Sequence, residues 1–301
     1  MNTDLNRNDL HRRLERLAAA RRLSPAAAVR ARFGEIDGAN QGVLVSVQLF
    51  TTVIPLMILG FGYFHGFAEN ASPGTLWIRE LGLVEPAAGQ VRNAFGASSG
   101  LRSMWTVLGL AAFLMWGIPM AFTVAGMFAK AWRREQFGMG QRVLRGAVWF
   151  VLYLSMLVFR ERIAYSSEHP GLIQALLIVV ALIPVWAFWS LTPAVLVRDG
   201  GRGLRYLILA GLAGVVIDGI IIPLGGRLLF PPVITGWNNF GPIGVAMALF
   251  TWCGVIGTGW VITACVAAVL WERLAPAETV VATQTSDPAD PGPDPPTRMQ
   301  P

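Results

Sequence analysis

The sequence predicts an all-α fold, a polytopic membrane bundle of about six transmembrane helices with both termini in the cytoplasm. Three observations lead there. Of 301 residues, 54 % are hydrophobic and 14 % charged, and the mean hydropathy is +0.52, which is too apolar for a soluble domain of this length. The apolar residues come in runs of about 17 to 27, and a hydrocarbon core about 30 Å thick takes roughly 20 helical residues at about 1.5 Å each. Finally, Lys and Arg gather in alternate connections, the asymmetry that orients a multi-pass chain.

Residues 1–42 form the first unit. They carry eight arginines, and Leu10, Leu14 and Leu17 recur at i, i+4 and i+7 among them, the pattern of a basic amphipathic helix. Two readings fit this segment. It lies on an anionic leaflet, its leucines in the acyl boundary and Arg12, Arg13, Arg16, Arg21 and Arg22 on head groups at about 1 kcal/mol each, or it docks on the protein's own cytoplasmic loops. A secretory signal is not expected, because the basic stretch is too long for an n-region and no small-residue cleavage site follows the first apolar run.

The membrane unit, 43–274, holds spans expected at 43–64, 104–128, 143–159, 172–197, 204–230 and 243–271. One side collects the N-terminal arginines, then Lys130, Arg133, Arg134 and Arg142, then Arg198, Arg202 and Arg205. The other has Arg79, Arg92 and Arg102 spread over the loop 65–103, Arg160 and Arg162, and no Lys or Arg between Pro231 and Pro242. The richer side is therefore cytoplasmic, with both ends of the chain. The loop 65–103 is external, with short helices expected at 76–83 and 87–95; its sequon Asn70-Ala71-Ser72 is followed by Pro73 and is discounted. The third unit, 275–301, is acidic and rich in proline, without periodicity, and is expected to be disordered in the cytoplasm.

Metal and cofactor chemistry finds no pattern. His11, His65 and His169 are scattered, no HExxH or paired CxxC occurs, and Gly200-Gly201-Arg202-Gly203 is not a phosphate loop. Cys253 and Cys265 lie on one predicted helix, about 18 Å apart, and cannot bond to each other. No metal, no cofactor and no enzyme activity are expected. Nor is nucleic acid a partner, since the net charge of +6 sits beside the spans.

Asp218 is the most informative residue. It falls about 13 residues into a span, roughly 20 Å along it, where a carboxylate costs about 2.5 to 3.5 kcal/mol to insert. It is either a proton or substrate site or a packing contact between helices, and Gln48, Thr51 and Thr52 of the first span are candidates to share its polar site. Pro55, Pro119, Pro184, Pro193 and Pro223 interrupt four of the spans, Pro223 that of Asp218 itself, and suggest kinks, which free backbone carbonyls toward a cavity. Glycines at 211, 214 and 219 and at 254, 257 and 259 offer small faces for close helix packing. Tryptophans at span ends are interfacial anchors, whereas Trp116, Trp186, Trp189, Trp252 and Trp260 lie inside spans, as core or as cavity wall.

Three stretches carry a resemblance. The first span with Phe50, Pro55, Leu56 and Leu59-Gly60, the turn Ala129-Lys130-Ala131-Trp132-Arg133-Arg134 leading to Arg142-Val143-Leu144-Arg145-Gly146, and the last helix from Phe240-Gly241-Pro242-Ile243-Gly244 to Leu270-Trp271-Glu272-Arg273 resemble the YihY/BrkB family of bacterial inner-membrane proteins. The likeness covers about residues 30 to 274 and implies the same topology. It also implies a role in envelope maintenance or in lipid or solute transport. Where the family often reads Gly-Ala-Glu in the last helix, this chain has Thr263-Ala264-Cys265, so no role of that Glu carries over. The ribonuclease label once attached to the family finds no acid, base or metal ligands in this sequence. Two functions follow as expectations: a transporter or lipid-translocating protein with a mid-membrane cavity at Asp218 and a small-molecule or lipid substrate, or a non-transporting envelope scaffold that binds membrane lipids or partner proteins.

Overall fold

The computed structural model describes residues 24–63, 85, 87–94, 102–165, 171–201, 204–237, 240 and 242–276. Arg12, Arg13, Arg16, Arg21 and Arg22, expected as lipid contacts, the expected helix at 76–83, and the tail beyond Pro276 lie outside these residues. The described chain is all-helical: α1 (Pro25–Glu35), α2 (Gly38–Tyr63), α3 (Ala87–Ala94), α4 (Arg102–Ala131), α5 (Met139–Tyr165), α6 (Leu172–Leu196), α7 (Leu204–Gly214), a π segment (Val215–Ile221), α8 (Ile222–Gly236) and α9 (Pro242–Leu274). Among the described residues three stretches are long and apolar enough to cross a membrane, Leu176–Leu196, Tyr206–Gly236 and Ile243–Leu274. Each of the six predicted spans falls on a helix or, for the fifth, on α7, the π segment and α8 in succession.

Local chemistry sets the boundaries at the basic end. Ser24 caps α1 by accepting from the Ala27 amide at 3.2 Å, and Pro25, at the first turn, loses no helical bond. The first span begins earlier than the predicted residue 43. Asp37 adopts a left-handed φ of 53°, which ends one helix and lets α2 start at Gly38, and Gln41 and Gly42 are already buried. After α4, Arg133 takes the left-handed position usually given to glycine, at φ 53°. The Arg133 amide donates to Lys130 O at 3.0 Å and the Arg134 amide to Ala129 O at 2.8 Å, so the helix closes in a Schellman turn. A non-glycine residue there costs about 1 to 2 kcal/mol, and Arg133 is held by a two-pronged ion pair with Glu35 at 2.7 and 2.6 Å. That neighbour pulls the Glu35 carboxyl below its ordinary range, so the pair is complete at neutral pH and is lost as the pH falls below that range.

The helix continues through Pro55, Pro119, Pro184 and Pro193 without a break. Just before Pro223 the winding changes instead: Val215–Ile221 form the π segment, and Pro223 enters α8 in its first turn, where its missing amide is tolerated.

Helix α9 is the hub, packing against α1, α2, α7 and α8, while α2 also packs along α4 and α5–α6–α7 follow in sequence. Glycine makes the closest of these contacts possible. A Cβ on Gly257 would sit 2.6 Å from Gly42 O and 3.0 Å from the Ser46 amide, both backbone atoms that cannot move aside. A Cβ on Gly211 would meet the Ser190 side chain and the Trp186 carbonyl of α6, and one on Gly214 the buried Trp189 side chain, whereas Gly254 meets nothing within 4 Å and has no such role. Cys253 and Cys265 are buried free thiols. The outward faces are apolar: Leu172, Leu176 and Val179 on α6 and Leu224, Leu228 and Leu229 on α8 are more than half exposed, a surface suited to hydrocarbon.

Candidate functional site

Asp218 lies at the centre of the π segment, the one described element wound more loosely than an α-helix. It is buried, at 9 % exposure. A widened turn displaces a side chain from the register of the helix on either side, and here it carries the carboxylate inward between α6 and α9. Trp189 of α6 donates its indole N–H to Oδ2 at 3.2 Å, and Trp260 of α9 donates to Oδ1 at 3.0 Å. Each oxygen thus has one neutral donor. Arg160, near the far end of α5, acts on the carboxylate electrostatically.

The two indoles belong to a larger aromatic cluster. Their rings meet edge to face with centroids 5.7 Å apart, Trp149 stacks on Tyr153 at 5.8 Å, and Tyr153 and Phe188 close the group at 5.4 Å from Trp260 and 5.2 Å from Trp189. Trp149 donates to Thr192 Oγ1 at 3.2 Å, and that hydroxyl donates to Phe188 O at 2.8 Å. Every indole donor in the cluster therefore ends on an acceptor, as burial requires. Trp149, Trp189 and Trp260 are at most 2 % exposed, which makes the cluster a packed unit that fixes Asp218 from two sides.

Among the described residues Asp218 takes its hydrogen bonds from Trp189 and Trp260 and not from Gln48, Thr51 or Thr52. The Thr51 hydroxyl bonds to Val47 O and Gln48 O and the Thr52 hydroxyl to Gln48 O, all within α2, and Gln48 Oε1 is buried without a hydrogen bond. Both Asp218 oxygens are taken by α6 and α9. The partners that sequence reading did not assign to Asp218, Trp189 and Trp260, carried a usable signal: an indole N–H inside a span must find an acceptor, and Asp218 is the strongest acceptor at that depth. Chemically, one carboxylate held by two neutral donors supplies no acid and base pair. Among the described residues no group of three or more His, Cys, Asp or Glu gathers as metal ligands.

At the basic end a second cluster ties three helices together. Arg32 of α1, 4 % exposed, donates to both oxygens of Glu272 on α9 at 2.9 and 2.8 Å and to the carbonyl of Ala131 at the end of α4. Its Nε also lies 3.4 Å from Glu35. Trp132 packs on Trp271 with centroids 5.2 Å apart, and Arg134 sits 5.9 Å above the Trp271 ring. This cluster is built from the turn and the last-helix end on which the family resemblance rests. No family model, no curated protein and no solved structure matches the chain.

Proposed function

We propose that the chain is a multi-pass protein of a bacterial cytoplasmic membrane, crossing six times with both ends inside, and that it serves as a non-transporting envelope protein engaging lipid head groups and partner proteins at its cytoplasmic face. The crossing number is supported by α2, α4 and α5, helices of 26, 30 and 27 residues, added to the three long apolar stretches. Orientation is supported by the basic residues at one end. The observation that carries the functional reading is the state of Asp218: both of its oxygens are committed to indoles inside a packed aromatic cluster, so the mid-membrane carboxylate serves to join α6, the π segment and α9. A site for passing substrates needs free polar groups on a wet or lipid-lined path.

A second reading, translocation of a lipid or small molecule, is favoured by the π segment itself, since such bulges recur at functional sites and an intramembrane carboxylate is a natural proton or substrate group. Reconstitution separates the two. In liposomes holding a head-group-labelled phospholipid, the native protein is expected to leave the fraction of label reachable from outside at the value of protein-free vesicles. A rise in that fraction, abolished by Asp218→Asn, would establish the second reading in place of the first.

A further inference from the structure

The basic end carries an arginine cleft that the ion-pair cluster does not use. It lies where the end of α4, the start of α5 and the end of α6 meet, and is lined by Ala125, Gln136, Phe137, Arg142, Arg145 and Leu196 around a cavity of about 10 Å³, room for one water or one phosphate oxygen. Arg145 is fixed: its guanidinium lies 4.1 Å over the Phe137 ring and donates to Val195 O at 3.1 Å, capping the carboxyl end of α6. Arg142 is positioned by the Phe122 ring, 5.0 Å away, but its Nε is buried without a hydrogen-bond partner. A buried guanidinium N–H with no acceptor is costly and rare, and two guanidinium groups lining one small cavity call for an anion.

What surrounds the cleft selects the kind of anion. Arg142 and Arg145 sit in the first two turns of α5, and from there toward mid-helix Leu144, Val148 and Val151, at i, i+4 and i+7 on one face, are 66 %, 44 % and 62 % exposed. Cationic groups at the mouth and an apolar strip running from it toward mid-helix match the two ends of a phospholipid. We propose that this cleft binds the phosphate of one anionic phospholipid, with Arg142 Nε and the Arg145 guanidinium on the phosphate oxygens and an acyl chain along Leu144, Val148 and Val151. The proposal deepens the cytoplasmic-face reading above and rests on it. It differs from the surface contact expected of Arg12, Arg13, Arg16, Arg21 and Arg22 in being a built, single-lipid site.

Native mass spectrometry of the detergent-purified full chain, titrated with phosphatidylglycerol or phosphatidylethanolamine, tests it. The native protein is expected to retain one phosphatidylglycerol in preference to phosphatidylethanolamine, Arg142→Gln to weaken that retention by about tenfold, the size of one charge-assisted hydrogen bond, and Arg142→Lys to recover part of it. Retention unchanged in a folded Arg142→Gln protein, or no preference for the anionic lipid, overturns the proposal. So does displacement of the lipid by millimolar inorganic phosphate as effectively as by short-chain phosphatidylglycerol, which would make the site one for free phosphate. Replacing Arg12, Arg13, Arg16, Arg21 and Arg22 by Gln leaves the single retained lipid in place if the cleft holds it. Loss of that lipid in this variant, with Arg142→Gln silent, overturns the cleft while leaving the cytoplasmic-face reading standing.

Discussion

Arg32→Met is expected to destabilise the protein by about 3 to 5 kcal/mol, the cost of breaking a buried ion pair from one side. Glu272 is buried, and its carboxylate has two hydrogen bonds from Arg32. Removing the arginine takes two hydrogen bonds from that buried charge, and also the one received by the Ala131 carbonyl at the end of α4. The loss reaches three helices, because Arg32 is the point at which α1, α4 and α9 are joined. Glu272→Leu alone also breaks the pair but is expected to cost less, because Arg32 keeps Glu35 at 3.4 Å and the Ala131 carbonyl. The double variant Arg32→Met with Glu272→Leu removes both charges and places apolar groups of similar volume in their positions, so most of the stability should return. Detergent-titrated unfolding of the four proteins measures the cycle. Single substitutions that add up in the double variant would show that the pair is not coupled.

The second large effect is expected at Asp218. Asp218→Leu leaves two buried indole N–H groups without an acceptor, at about 1 to 3 kcal/mol each. Asp218→Asn keeps the shape but offers a single acceptor oxygen, and its amide N–H₂ then faces the second indole donor, so roughly half of that loss remains. Trp260→Phe removes one donor and is expected to lessen the cost of Asp218→Leu, since the two substitutions act on one hydrogen bond. The same unfolding titration reads these differences. If Asp218→Leu were as stable as the native protein, the carboxylate would not be a joint between α6 and α9, and the structural role assigned to it would fall.

Much of this was legible in the residues, and the reason is the solvent. In hydrocarbon a helix must be long, apolar and internally bonded, so the six runs that length alone picks out all lie on helices, and a short helix occurs at Ala87–Ala94 where one was expected. Boundaries were less legible. The left-handed residues at Asp37 and Arg133 are not glycine, and only tertiary contacts such as Glu35 with Arg133 make their conformation affordable. The expense of a mid-span carboxylate singled out Asp218, but its partners did not follow. Sequence proximity in depth suggested Gln48, Thr51 and Thr52, whereas α2 lies along α4 and α9 and its threonines are satisfied by their own helix. The π winding that turns Asp218 inward has no simple sequence mark beyond the nearby Pro223, and the pairing of Arg32 with Glu272, 240 positions apart, has none.

The account depends first on six crossings with the basic end inside. On a background of Cys253→Ala and Cys265→Ala, single cysteines at Ser24→Cys and Leu172→Cys would be offered to a membrane-impermeant maleimide in intact bacterial cells. Both positions are exposed, Leu172 at 87 %, and α2, α4 and α5 lie between them. The expected result is labelling of Leu172→Cys in intact cells and of Ser24→Cys only after permeabilisation. Labelling of both positions from one side would contradict it, because α2, α4 and α5 could not then all cross.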